Sequence, residues 1–399
     1  MQITAQSWVV LTELTDESAL AIGITMALQF APPLLLVGLA GWLTDRFDHR
    51  KLLLITQAAL AAISAIIGIM ILAGALTLPA MFVLAGAFGV ATALDNPPRQ
   101  VYISDLVTRD EAQNAIALNA TGFNVARLIG PAVAGIGIVI VGSGWVFVAN
   151  ALSFVATIVA LLLIRPSRSK SHSTGSPDRL ADGFRYVGRR PDLVVLFVST
   201  FIIGAFGTNF AIYAPTMARE FGQDATGFGL LTSVFAIGSI AGALVTARRK
   251  SAKLRVVAAA SLLFCAMLIV SALMPSYALF AVTLIGVGFA LIVILITANG
   301  YVQTNTHPTV RGRVLALYLA LLHGGTPLGA PIVGWIADAW GARASVLAAG
   351  VAGFVAASII FAWFAFSGRI HRVPGRFAKM TLDATRPIHT IVEPAQPSI

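Results

Sequence analysis

Residues 52–76 read LLLITQAALAAISAIIGIMILAGAL, without one charged side chain. As an α-helix rising 1.5 Å per residue this stretch is about 37 Å long, more than the roughly 30 Å of a bilayer's hydrocarbon core. Ten more predominantly apolar stretches that reach or nearly reach the thickness of that core surround it: 19–41 before it, and 79–105, 114–141, 145–164, 193–217, 228–247, 254–274, 277–302, 314–338 and 345–366 after it. In lipid only helices satisfy their own backbone polar groups, so the sequence predicts an all-α polytopic membrane protein with eleven full spans visible.

Composition agrees, with 57% hydrophobic and 11% charged residues and a mean hydropathy of +0.86, far from soluble globular usage. A net charge of +10 would suit a nucleic-acid binder, but its distribution excludes that reading. Of the 27 Lys and Arg, all but Arg127, Arg219 and Arg343 fall at alternate connections. Basic loops stay in the cytoplasm, which places the C-terminus on the cytoplasmic side of the membrane. Cys265 sits alone within a span, and residues 1–18 hold no Lys or Arg and no signal-peptide pattern.

The front end is short. Residues 3–14 are a partly apolar stub, about 18 Å if helical and too short to cross. They read as the outer half of a twelfth helix whose inner half is missing, either because the true start lies upstream or because the chain has eleven spans; the first is the expectation. Residues 1–164 then form one helical bundle, 165–192 a basic, Ser- and Gly-rich cytoplasmic linker with a short surface helix near 180–189, 193–368 a second bundle, and 369–399 a disordered cytoplasmic tail. The halves echo each other at a spacing of about 200 residues. NAIALNATGFNVARLIGPAVAG (114–135) overlays RVLALYLALLHGGTPLGAPIVG (313–334), and Ala40-Gly41-Trp42-Leu43 overlays Ala241-Gly242-Ala243-Leu244.

The first full span ends in Gly41-Trp-Leu-Thr-Asp-Arg-Phe-Asp-His-Arg-Lys51. Gly41 admits a close helix neighbour, and Asp45 sits at the membrane boundary, where a helix N-terminus or an Arg can hold it. An inward-facing loop explains Arg50 and Lys51 by topology alone, but not the Gly-x-Leu-x-Asp-Arg spacing. This segment resembles the loop motif of the major facilitator superfamily, with Asp48 where Gly is usual and His49 at a usually basic position. Asp95-Asn-Pro-Pro-Arg-Gln100, Asp105-Leu-Val, Asn114-Ala-Ile-Ala-Leu118 and Phe123-Asn-Val-Ala-Arg-Leu-Ile-Gly-Pro131 are similar to the branch containing the enterobactin exporter and related macrolide and drug exporters.

The resemblance implies a fold of two six-helix bundles, the first helix truncated. It also implies a cytoplasmic latch of Gly41, Asp45, Arg46, Arg50 and Asp105 that holds the outward-facing state and breaks as the bundles rock. Gly130, Pro131 and Gly135 resemble, in shortened form, the Gly-Pro motif of the superfamily's antiporters. On physics alone the same residues are a packing kink.

Arg127 lies deep in its span, where even insertion scales charge a central Arg about 2.5–3.5 kcal/mol. It needs a partner. Asp95 on the preceding span is the candidate, and Arg99, one turn on at i+4, competes for the same carboxylate. Two readings stand: a permanent ion pair that fixes helix register, or a proton-exchanging Asp95 coupled to Arg127. Gln29, Asn119, Asn124, Asn209 and His323 are candidate cavity residues, and Phe30, Phe123, Phe206, Phe210, Phe235, Tyr213 and Tyr318 a candidate aromatic wall. The same side chains also serve as helix–helix contacts.

Nothing in the sequence suggests an enzyme, a cofactor or a metal: there is no Gly-Lys-Ser/Thr phosphate loop, no Cys/His cluster and no Gly-x-Ser-x-Gly elbow. The reading is a monomeric secondary transporter that exports an amphipathic small molecule such as a siderophore, macrolide or drug against inward proton flow. The alternatives are a nutrient uptake permease and a non-transporting paralogue or membrane scaffold.

Overall fold

The computed structural model describes residues 1–107, 111–164, 180–249, 251–307, 310–367, 370–372 and 380–382. Their side chains are included except at 103–105, 112–117, 120–121, 123–125, 127–129, 132, 180–182, 370–372 and 380–382. The first half comprises α1 (Gln2–Thr12), α2 (Ala19–Leu35), α3 (Val37–Arg46), α4 (His49–Leu72), α5 (Leu78–Asp105), α6 (Ala112–Val141) and α7 (Ser143–Leu163). A short α8 (Leu180–Gly188) leads into α9 (Pro191–Ile202), a π-helical turn (Ile203–Gly207), α10 (Phe210–Glu220) and α11 (Ala225–Ala247). The second half closes with α12 (Leu254–Ala272), α13 (Tyr277–Asn305), α14 (Arg311–Trp340) and α15 (Ala342–Phe366).

Among the described residues, 9 helical spans are long and apolar enough to cross a membrane, and α2 with α3 makes a tenth that bends by 52°. The eleventh expected span is α6, 30 residues long. The bend follows Pro32 and Pro33. Two adjacent prolines withdraw two backbone donors and crowd the preceding turn, which is the usual cause of a sharp kink. Large apolar side chains such as Leu35, Val83, Ile140 and Leu163 are exposed around the helices, as a lipid-facing surface requires. Trp42 is exposed at the end carrying the basic connections, and Trp145, Trp335 and Trp340 at the opposite end. Aromatic belts of this kind mark the two membrane interfaces.

The internal repeat is visible in the backbone. α6 and α14 each run 30 residues and each stop at a glycine of the same unusual conformation, Gly142 with φ 87 ψ 158 and Gly341 with φ 89 ψ 161. That region is open only to glycine, so the turn into α7 and the turn into α15 share one chemical requirement. Pro131 lies inside α6 without interrupting it. The 370–372 and 380–382 segments of the tail, where composition predicts disorder, pair as a short antiparallel ladder with Ile370 opposite Leu382.

Within the first half α4 packs on α5 and α7, and α2 on α5; within the second, α11 and α12 pack on α13, and α12 on α15. The halves meet along two seams, α2 with α14 and α6 with α11. Each seam joins the repeated helix of one half, α6 or α14, to a helix of the other. α1 is buried on nearly all sides. It touches α2, α6, α7 and α10, and Trp8 stacks on Phe228 of α11 with ring centroids 5.8 Å apart.

Candidate functional site

Both seams are built on glycine. A Cβ placed on Gly135 of α6 would stand 2.5 Å from the Cα of Gly229 on α11, so the two backbones touch there. On the other seam a Cβ on Gly334 would lie 2.4 Å from the carbonyl oxygen of Ala19, and one on Gly23 2.4 Å from that of Ala330. Without a hydrophobic drive between helices in lipid, close backbone approach at small residues is what holds such seams.

These contacts lie toward the end opposite the basic loops. At that end Asp338, four residues beyond Gly334, reaches across to the start of α2. Its carboxylate accepts from Ala19 N at 2.6 Å, Leu20 N at 3.1 Å and the Ser18 hydroxyl at 2.8 Å. Arg219 of α10 pairs with Glu17 at 2.6 Å, and Arg343 with Glu220 at 2.6 Å. Together these charges rim a cavity of about 400 Å³. At the basic end α3 leans away from the seam after the bend and packs on α5.

The intramembrane carboxylate named as the candidate partner of Arg127 has several partners of its own. Asp95, 3% exposed, accepts from Thr56 Oγ1 at 2.7 Å, Gln57 Nε2 at 2.8 Å and Arg99 Nε at 2.9 Å, with a second Arg99 nitrogen at 2.5 Å. The i+4 cation therefore takes one side of the carboxylate, and α4 supplies the other. The Arg127 side chain lies outside the described residues. Arg99, Gln57 and Asn119 also line a cavity of about 190 Å³ with Tyr102, Leu53 and Thr157. A buried polar triad joins α1, α4 and α7: Gln2 Oε1 accepts from Ser64 at 3.1 Å and Asn150 at 2.9 Å.

The family profile described as "Transmembrane secretion effector" matches residues 1–369. The chain belongs to the major facilitator superfamily. It is a membrane transporter of that type. It is 26% identical over 364 residues to the staphyloferrin A transporter of Staphylococcus aureus, covering 84% of this chain and 85% of that protein. It is 25% identical over 370 residues to the multidrug efflux pump Tap of Mycolicibacterium fortuitum, covering 87% of each. Among solved structures, a bacterial homologue of the human lysosomal transporter Spinster, inward-facing and occupied, superposes with a TM-score of 0.71 at 16% identity, covering 90% of this chain and 92% of that one. A D-xylose–proton symporter gives 0.69 at 14% identity, over 90% and 91%. At these identities the structures speak for the fold.

Against the superfamily's loop motif, the departures in this chain have local reasons. Asp48, where glycine is usual, is the N-cap of α4, accepting from Lys51 N at 2.9 Å. His49 Nε2 meets the Thr44 carbonyl at 3.1 Å. Arg50 donates to the carbonyls of Leu161 and Leu162 at 2.8 and 2.7 Å, where a cation suits both the unpaired carbonyls and the helix dipole. Asp45 is exposed. Arg46 lies 5.6 Å from the ring centroid of Trp42. The Asp105 side chain lies outside the described residues. A Cβ on Gly41 would meet nothing within 4 Å, so the close helix approach expected there is not made in this structure. Gly130, by contrast, faces the Met1 nitrogen, 3.3 Å from a Cβ placed on it.

The candidate cavity residues scatter. Asn209 is fully buried and donates to the Ala205 carbonyl at 2.5 Å, and Tyr213 donates to the Phe206 carbonyl. Both bonds hold the break between the π turn and α10. Gln29 is buried where α2 crosses α5, its carbonyl against Gly89. His323 is exposed on α14, and Asn124 lies outside the described side chains. Of the expected aromatic wall, Phe210 and Phe235 stack at 4.2 Å and Tyr318 packs on Phe197. Sequence reasoning missed Asp192, which Arg190 grips with two bonds of 2.9 and 2.8 Å and Tyr301 with one of 2.8 Å. This cluster ties the start of α9 to α13, and the bond to Asp192 raises the Arg190 guanidinium above its ordinary pKa.

Proposed function

We propose that this chain is a bacterial plasma-membrane exporter that carries an amphipathic small molecule outward against protons by alternating access, with no enzymatic activity of its own. The observation that carries the reading is Gly135. It resembles, one place later than usual, a glycine of the antiporter-type Gly-Pro motif, and it is also where α6 touches α11 between the two halves. A motif residue at the moving seam, and not within one bundle, is where a coupling element acts. The relatives support the substrate class, one named for a siderophore and one for multidrug efflux.

With the basic connections in the cytoplasm, the closed seam is the outer one and the chain stands open inward. Asp45 and Arg50 then belong to the inner latch in its broken form: Asp45 is exposed and Arg50 is held within its own half on the end of α7. Asp95 with Arg99 is the intramembrane pair available for coupling. Its donors among the described residues come from α4 and α5, which makes it first a lock between those two helices, as replacement below tests.

Inside-out vesicles from a transporter-depleted strain, acidified inside by respiration, test the export reading. Adding a siderophore, a macrolide or a cationic dye should discharge the pH gradient for at least one of them in vesicles carrying this chain. A substrate that instead accumulates in whole cells in a chain-dependent way would favour uptake. Sidedness has its own measurement. In a Cys265→Ala background, cysteines at Ala75 and Pro275 should react with an impermeant maleimide on intact cells, and one at Gly188 only after lysis. Labelling at 188 on intact cells would reverse the orientation.

A further inference from the structure

The start of α2 is capped from the other half of the molecule. By helix geometry the first N–H groups of any α-helix have no partner within the helix. α11, which meets α6 as α2 meets α14, meets that need locally: the Asp224 carboxylate at its own N-cap accepts from Thr226 N at 2.8 Å and Gly227 N at 3.2 Å. α2 has Ser18 at its N-cap, whose hydroxyl takes only Ala21 N, at 3.2 Å. Ala19 and Leu20 N–H are left to Asp338 on α14, at 2.6 and 3.1 Å, and Ser18 itself donates to that carboxylate at 2.8 Å.

Three features give this contact a direction. Hydrogen bonds to an ionised carboxylate are stronger than neutral ones, and the anion sits on the positive end of the helix dipole. Asp338 is itself exposed, so water can solvate both the carboxylate and the freed N–H groups when the helices part; the contact is reversible and not a buried lock. It is also one-sided. In the repeat overlay the position of Asp338 is taken on α6 by Val139, whose side chain can form no such bond. An ion pair also joins the halves, Glu17 with Arg219, but its side chains are 53% and 40% exposed, and pairs of that kind hold little.

We propose that Asp338 is a state-selecting residue of the transport cycle: its carboxylate on the N-terminus of α2 holds the seam shut while the basic end is open, and its release accompanies opening of the opposite end. This rests on the two halves rocking about their seams and needs neither the direction of transport nor the substrate. The test therefore uses readouts free of both. Spin labels at Ala75 on the first half and Pro275 on the second, in the Cys265→Ala protein, report the separation of the halves at the Asp338 end.

Asp338→Ala should shift the distance distribution toward the longer population, and Asp338→Asn, which keeps acceptor oxygen without charge, should shift it less. An unchanged distribution in Asp338→Ala, at an unchanged melting temperature, overturns the proposal. A second variant holds if the first does not insert. In Ser18→Cys with Asp338→Cys, oxidation should slow amide hydrogen exchange across 7–26 and 330–345 relative to the reduced protein. Equal exchange in the two forms shows that this seam does not open, and the proposal falls. A shifted distribution without gradient discharge by any compound would leave the gate standing and remove only the export reading.

Discussion

Gly135→Leu should leave the protein in the membrane at near-normal abundance and abolish its transport. A leucine Cβ would start 2.5 Å from the Cα of Gly229 and 3.2 Å from the carbonyl of Ala225, both backbone atoms that cannot swing aside. Forcing extra atoms into a packed interface costs about 1–3 kcal/mol, occasionally more. The strain falls only on the state in which α6 and α11 touch. Since about 1.4 kcal/mol is a tenfold change in an equilibrium, this is enough to turn the closed seam from the dominant state into a minor one. Gly137→Ala is the matched control. Its Cβ would meet only Cγ2 of Val146, at 2.9 Å, the tip of a side chain in the same half. Transport of a cationic dye and the Ala75–Pro275 spin-label distance measure both variants. Wild-type transport by Gly135→Leu would remove the α6–α11 seam from the cycle.

The spans were readable because they rest on one length: a helix must reach across about 30 Å of hydrocarbon, and each apolar run announces that it can. The repeat was readable for a related reason. Gly135 and Gly334 hold equivalent seams, and only a residue without a side chain fits either. The bend between α2 and α3 had its signal in Pro32-Pro33, which a count of apolar residues passes over. Asp48 likewise carried a legible cause for its departure from the superfamily's motif, an acidic N-cap three residues before Lys51.

The partners across the molecule were not readable. Asp338 closed an apolar run and looked like a span end; nothing local says that it caps a helix more than three hundred residues earlier in the chain. Arg50 looked like a latch or a topology signal, and its contact with the last carbonyls of α7 depends on the packing of α4 against α7. Asn209 was a candidate cavity residue and Tyr213 a candidate for an aromatic wall; the bonds both make to the interrupted backbone next to the π turn had no signal in the sequence. Asp95 with Arg99 stands between these cases. The i+4 spacing is set by the helix itself, whereas Thr56 and Gln57 arrive only through the fold.

Removing the cation from that site should cost more than removing the anion. The Asp95 side chain is 5% exposed and that of Arg99 40%. Among the described residues, Arg99→Gln therefore leaves the buried carboxylate two neutral donors, Thr56 and Gln57, in place of a charged one. Leaving a buried charge without its partner costs about 3–5 kcal/mol, a large share of the stability that holds α4 on α5. Asp95→Asn strands a guanidinium that water already reaches, so its penalty is smaller, and the amide oxygen still accepts one bond. Melting temperature in detergent and abundance in the membrane should fall in the order wild type, Asp95→Asn, Arg99→Gln, and the double neutral variant should recover most of the loss. Gradient-driven efflux separates the lock from a proton carrier. If the pair is a lock alone, the recovered double variant discharges the gradient like the wild type. If Asp95 carries protons, Asp95→Asn stays abundant and binds substrate yet loses efflux, and the double variant loses it too. Single variants that are both stable and active would sink the two readings together.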